Sequence, residues 1–281
     1  MTAFNFSTTG SEVVAALADR VTGKTFAEKP LVVITGASHG GLGAHTCLCL
    51  AAANPAEIIL LGRSEEKVSP VIKEISSISP STVVRFIKID LLSCASVRAT
   101  AAEINASVSK IDVLLEASGG GARIVNVASA MYQLSPVMFD NYNFSNGKTY
   151  NAWEAYGQSK TANILFAVAL AEKLEKKEIK SYFLHPGVIH TTGLSEVDQE
   201  AWPIVGALFE SKKLEMPKEK TIGQGCATTL AAALDPALDD HSGSFLNDCN
   251  PENVLDYASD IVNADKLWCL SEAIVGEEFH Y

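Results

Sequence analysis

The chain has 281 residues, a hydrophobic fraction of 47% and a net charge of −11. That supplies enough apolar side chain for one large α/β core. So acidic a surface repels phosphate backbones and argues against nucleic acid as a partner.

The elements follow in chain order. Residues 1–29 read as a short amphipathic lead-in. LVVITG (31–36) reads as a buried strand, and Leu42 to Ala53 as a helix that stops before Pro55. EIILLGR (57–63) is a second strand, Glu65 to Ile75 a second helix, and TVVRFIKID (82–90) a third strand. A third helix runs from Ser93, a suitable N-cap, to Val108. IDVLL and RIVNV (123–127) are two more strand-like runs. Asn151 to Lys177 reads as a long helix, SYFLHPG (181–187) as a strand and Gly223 to Leu234 as a helix. The chain closes with the strand GSFLND, a loop and a helix over Asp265 to Val275. Strands alternating with helices predict a Rossmann-type, doubly wound parallel sheet in a single domain over 30–281.

Six cysteines are scattered without any CxxC pair. They are expected as reduced thiols of a cytoplasmic protein, not as disulfides or zinc ligands, and no metal is expected. The N-terminus lacks the basic and apolar regions of a signal peptide, and no run of 18 apolar residues predicts a membrane span.

TGASHGGLG (Thr35–Gly43) follows a strand and opens a helix. Such a loop lets backbone N–H groups approach a pyrophosphate. A plain glycine-rich turn is the lesser, rival reading. Arg63 ends the second strand, where an acidic residue would favour NAD and an arginine favours a 2′-phosphate, so NADP is preferred. An exposed arginine ahead of a helix is the rival reading. Asp90 closes the third strand, within reach of an adenine.

Tyr156 and Lys160 lie four residues apart in the long helix, on one face. A nearby ammonium lowers a phenol's pKa and makes it a usable general acid/base. Upstream, RIVNVAS delivers Ser129, whose hydroxyl could hold a carbonyl beside the phenol. Downstream, a strand ends in His185-Pro186-Gly187 and runs into Val188-Ile189-His190-Thr191.

Together TGASHGGLG, LLGRS, IDLLS, RIVNVAS, AYGQSKTANILFAVALAEKL, HPGVIHT and DKLWCLSEAIVG resemble the short-chain dehydrogenase/reductase family. The likeness is to its retinol-dehydrogenase and WW-domain-oxidoreductase branch, in a fungal-type form, from about residue 30 to residue 276. The resemblance implies an NADP-dependent enzyme interconverting a carbonyl and an alcohol. Tyr156 would be the general acid/base, Lys160 would bond the nicotinamide ribose and lower the Tyr156 pKa, and Ser129 would orient the carbonyl. Gly36, Ser38, Gly40, Gly41, Leu42 and Gly43 would hold the pyrophosphate. Arg63 would meet the 2′-phosphate, Asp90 the adenine, and Ile189 and Thr191 the nicotinamide end. The glycine loop is one residue longer than the family's, so either Gly40 or Gly41 serves as its middle glycine. Met131, Tyr132, Phe139, Tyr142, Trp153, Trp202 and Phe209, in substrate loops 131–155 and 190–222, suit either a lipophilic substrate or lid packing. A secondary-metabolite intermediate is one such substrate.

One stretch departs from the family. Between IDVLL and RIVNV stand only Glu116 to Ala122. A parallel crossover needs a dozen or more residues, and roughly 40 residues of the family's crossover, with its Asn motif, are missing. Seven extended residues reach about 25 Å, while a five-residue strand of about 17 Å must be retraced. A bare return would leave a sheet face uncovered and expose the long helix where the family forms its homodimer. Three readings stay open. A splice form or gene model with an internal deletion is favoured; the alternatives are that IDVLL continues the third helix or that the sequence omits a segment. The rival to an active enzyme is a shortened nucleotide-binding homologue without turnover.

Overall fold

A computed structural model describes residues 2–21, 31–108, 113–114, 122–190 and 201–280. Apolar β-branched runs form the central strands β1 (Leu31–Thr35) and β2 (Glu57–Gly62), both buried along most of their length. β3 (Val83–Lys88) pairs with β2, and β2 with β1, all parallel and in register. Their crossovers are α3 (Leu42–Ala51) and α4 (Glu65–Ile78), after the lead-in helices α1 (Gly10–Ala16) and α2 (Ala18–Val21). α5 (Cys94–Ser107) begins where Ser93 Oγ accepts from the Ser96 N–H at 3.2 Å, the N-cap expected for it.

β4 (Val113–Leu114) lies between β1 and β5 (Arg123–Val127), parallel to both, with Val32 opposite Val113 and Leu114 opposite Ile124. The reading in which IDVLL continues the third helix is therefore corrected. α5 stops at Ser107, and Val113 and Leu114 complete a sheet. Residues 115–122 join β4 to β5, fewer than a crossover helix requires. β1 is buried at four consecutive positions, whereas on β5 Ile124 and Asn126 are half-buried and Val127, 37% exposed, opens onto the cavity described below.

α6 (Ala152–Lys173) and β6 (Lys180–Leu184) follow, then α7 (Ala201–Ser211) and α8 (Ile222–Leu234). α7 lies inside what the sequence presents as a substrate loop. β7 (Phe245–Asn247) adds parallel to β6, and β8 (Asn250–Glu252) closes the edge antiparallel, with Pro251 where no further strand needs its N–H. Short α9 (Asp256–Ser259) and α10 (Ile261–Val275) complete the chain. The sheet order is β3-β2-β1-β4-β5-β6-β7-β8.

Every residue of α8 from Gly225 to Leu234 is buried. A helix apolar on all sides needs cover on all sides. The sheet takes one side of α8, and α1 and α3 take the others, with Val13, Val14 and Leu50 in the same cluster. The lead-in thus packs into the principal core.

β5 is anchored at its first residue. Arg123 is 2% exposed and donates to the carbonyls of Ala232 (2.7 Å) and Asp235 (2.9 Å). It also pairs with Asp239 and lies over the Tyr182 ring.

Candidate active site

β5 and β6 run side by side and end together, so their C-terminal residues share one edge. The Ala128 N–H donates to the Leu184 carbonyl at 2.8 Å. Ser129 then caps a short 3-10 turn over Ala130–Leu134, its Oγ accepting from the Met131 N–H at 3.2 Å. His185, next after β6, accepts the Ala130 N–H on Nδ1 at 3.2 Å. Burial and nearby Lys220 push its imidazole down to about 4, so it is neutral at ordinary pH. With Nδ1 accepting, Nε2 carries the proton, and it has no partner among the described residues.

α6 comes down against that turn. Asn151 Oδ1 caps it, accepting from the N–H groups of Trp153 (3.0 Å) and Glu154 (3.1 Å). Thr161 Oγ1 donates to the carbonyls of Tyr132 (3.1 Å) and Ser135 (2.7 Å), locking helix to turn. Lys160 immediately precedes Thr161 and Tyr156 lies one turn before Lys160, with Lys160 Nζ 5.2 Å from the Tyr156 ring centroid.

Ser129, Tyr156 and Lys160 open onto one cavity of about 560 Å³. Its walls are largely apolar, with Met131, Trp153, Trp202, Met216 and Pro217 among them. Of the residues singled out as substrate-facing, Met131, Trp153 and Trp202 reach this cavity. Tyr132 and Phe209 are buried in the core, Phe139 packs near α10, and Tyr142 lies outside.

Tyr156 is 39% exposed, and its partial burial still raises the phenol pKa, with the Ser129 side chain pulling the other way. Burial lowers the Lys160 pKa. In the protein alone, loss of solvent around the tyrosine sets the direction of the Tyr156 shift.

The glycine loop divides its work. Gly36 (φ 73°) and Gly40 (φ 78°) hold left-handed backbone that L side chains resist. Gly43 lies where a Cβ would come 2.8 Å from the Gly36 carbonyl oxygen. Gly41 is the N-cap of α3 and supplies no side chain to its first N–H groups. Ser38 is exposed on the loop. Leu42 reaches the cavity wall, which joins the loop to the Tyr156 site. This cradle, with free helix N–H groups at its end, fits a dinucleotide pyrophosphate. Arg63 is exposed at the end of β2. The Asp90 carboxylate accepts from the Leu92 N–H at 3.0 Å, so it also holds its own turn. Ile189 is buried and lines the cavity, packed where Gly225 has no side chain. Thr191 lies outside the described residues.

The comparisons agree with this geometry. A family model described as short chain dehydrogenase matches residues 30–141. Mouse retinol dehydrogenase 12 is 28% identical over 284 residues, covering 88% of this chain and 86% of that protein. The chain belongs to the short-chain dehydrogenase/reductase family, in its retinol-dehydrogenase-like branch.

An uncharacterized oxidoreductase of Schizosaccharomyces pombe is 29% identical over 287 residues, covering 85% of this chain and 82% of that protein. Human retinol dehydrogenase 14 is 34% identical over 57% of this chain, and the match spans 46% of that protein's length. Among solved structures, an uncharacterized protein from Mycobacterium paratuberculosis superposes with TM-score 0.64 at 24% identity, covering 92% of this chain and 100% of that one. The match to retinol dehydrogenase 12 is longer than the whole 281-residue chain yet uses 88% of it. It must therefore contain positions that this member of the family lacks.

The sequence pointed to Tyr156, Lys160 and Ser129 and named His185 without a role, but left out Gly157 and Met216. His185 stood in view within the HPG that ends β6. Met216 gives no local signal, because only the return of the chain after α7 brings it to the cavity.

Proposed function

We propose that this chain is an NADP-dependent oxidoreductase that interconverts a carbonyl and an alcohol on a lipophilic small molecule, such as a secondary-metabolite intermediate. The observation that carries the reading is the single cavity shared by Ser129, Tyr156 and Lys160, with apolar walls. In the reducing direction the Ser129 hydroxyl donates to the substrate oxygen and fixes it beside the phenol. Tyr156 gives its proton to that oxygen as the alcohol forms, and Lys160 steadies the resulting phenolate. The raised pKa of Tyr156 keeps that proton in place at neutral pH until it is needed. A nicotinamide dinucleotide held by the Gly36–Gly43 loop would supply hydride chemistry beside Tyr156. Trp153, Trp202 and Met216 favour an apolar substrate and keep water from it.

Arg63 supports NADP over NAD, since its exposed guanidinium can meet a 2′-phosphate. Six unpaired thiols support a reducing compartment, the cytoplasm. In this reading the loops 131–155 and 190–222 enclose the substrate, and residues 30–281 form the catalytic domain.

The short β4–β5 link favours a second reading, a nucleotide-binding protein without turnover. One experiment separates the two: NADPH consumption by the purified chain across lipophilic ketones and aldehydes, beside Tyr156→Phe. Turnover that falls ~10²–10⁴-fold in the variant supports the enzyme. NADPH binding without any turnover overturns it. Arg63→Leu should weaken NADPH binding at least about tenfold and leave NADH unchanged.

A further inference from the structure

Away from the Tyr156 cavity, three metal-ligating side chains converge. His45 and Cys49 lie four residues apart in α3 and so share one helix face. Cys226 comes from α8. The two sulfurs are 4.0 Å apart, and a ring nitrogen of His45 and both sulfurs all lie within 4.8 Å of one another.

The surroundings leave room for this meeting. A Cβ on Gly10, the first residue of α1, would lie 2.4 Å from Cys226 Sγ and 3.2 Å from Cys49 Sγ. Ser11 Oγ is 3.6 Å from Cys49 Sγ. Both cysteines are buried, while His45 is partly exposed.

We propose that His45, Cys49 and Cys226 form a binding site for a thiophilic divalent cation, Zn²⁺ by its chemistry, that staples α3 to α8 beneath the N-terminus of α1. Two thiolates and an imidazole are the donor types that select zinc over magnesium or calcium. Tetrahedral bonds of about 2.3 Å to sulfur place two sulfurs about 3.8 Å apart. The observed 4.0 Å is within a small side-chain adjustment of that spacing. The fourth position falls to water or to the Ser11 hydroxyl. Both thiols give up their protons as the cation binds.

The test is a Co²⁺ titration of the reduced, chelator-stripped full chain, followed by absorption. The expected result is thiolate-to-cobalt charge transfer with tetrahedral visible bands, saturating at one equivalent and reversed by Zn²⁺. His45→Gln should weaken binding at least about tenfold, and Cys49→Ala with Cys226→Ala should abolish the charge-transfer band. Cys94→Ser with Cys269→Ser, both exposed positions, should leave it unchanged. A hundredfold excess of Zn²⁺ over its Kd should raise Tm by about 5 °C in the wild type. The absence of a charge-transfer band, its survival in the Cys49/Cys226 variant, or its loss in the Cys94/Cys269 variant would overturn the proposal. Should the Cys49/Cys226 variant fail to fold, as judged by circular dichroism, His45→Gln decides: unchanged affinity overturns the site.

Discussion

Gly157 lies against the backbone of Ser135, where a Cβ on the glycine would come 2.9 Å from the serine nitrogen. The same Cβ would meet the Met131 carbonyl oxygen at 3.0 Å. Both neighbours are backbone and cannot swing aside. This glycine, between Tyr156 and Lys160, lets α6 close on the turn that Ser129 opens. Gly157→Ala should cost about 1–3 kcal/mol by overpacking. It should also lower turnover more than tenfold, because Tyr156 and Ser129 move apart. Thermal unfolding and kcat measured together check this; unchanged kcat would show that the close approach does not position the site.

The pH dependence of the Tyr156 site should follow its raised phenol pKa. In the free enzyme the phenol stays protonated through neutral pH. The kcat/KM for carbonyl reduction should therefore hold flat and fall only in the alkaline range. Alcohol oxidation, which needs phenolate, should climb with pH. A reduction profile that already falls near pH 7 would contradict the burial argument.

His185 should make stability depend on acid. Its folded pKa is about 4 against 6.5 as the ordinary value, so the unfolded chain takes up the proton first. Stability from this group is complete above pH 6.5 and is lost as pH falls through that window to about 4. The loss amounts to about 3 kcal/mol. Urea unfolding at pH 7 and pH 4.5 measures it. In His185→Gln this part of the slope should vanish, whereas an unaltered slope would place its origin elsewhere.

Arg123 should be a stability residue with little direct part in catalysis. Its guanidinium, buried at the start of β5, satisfies the Ala232 and Asp235 carbonyls and the Asp239 carboxylate. Arg123→Met strands these acceptors and should destabilise the fold by about 3–5 kcal/mol. Denaturant midpoints report the loss. A change below about 1 kcal/mol would mean that water replaces the guanidinium at those acceptors.

What the sequence determined by itself is local. Short β-branched runs and their helical partners marked the central strands and helices. Tyr156 and Lys160 share a face because four residues make about one helical turn. The glycines of Thr35–Gly43 announced their loop because backbone without Cβ has few other uses at such density. The short link before Arg123 could be counted from residue numbers, but whether Val113 and Leu114 joined the sheet could not.

What only the tertiary structure decided is convergence. His185 meets the Ser129 turn because β5 and β6 pair in register, with Val127 opposite Leu184. Cys226 meets Cys49 across 177 positions of sequence because α8 and α3 pack together on the sheet. The lead-in joins the core because α8, apolar all round, requires a cover on the side away from the strands. Periodicity records which face of an element is apolar. It does not record which distant face will meet it, because that is settled by sheet order and by the burial of whole elements against one another.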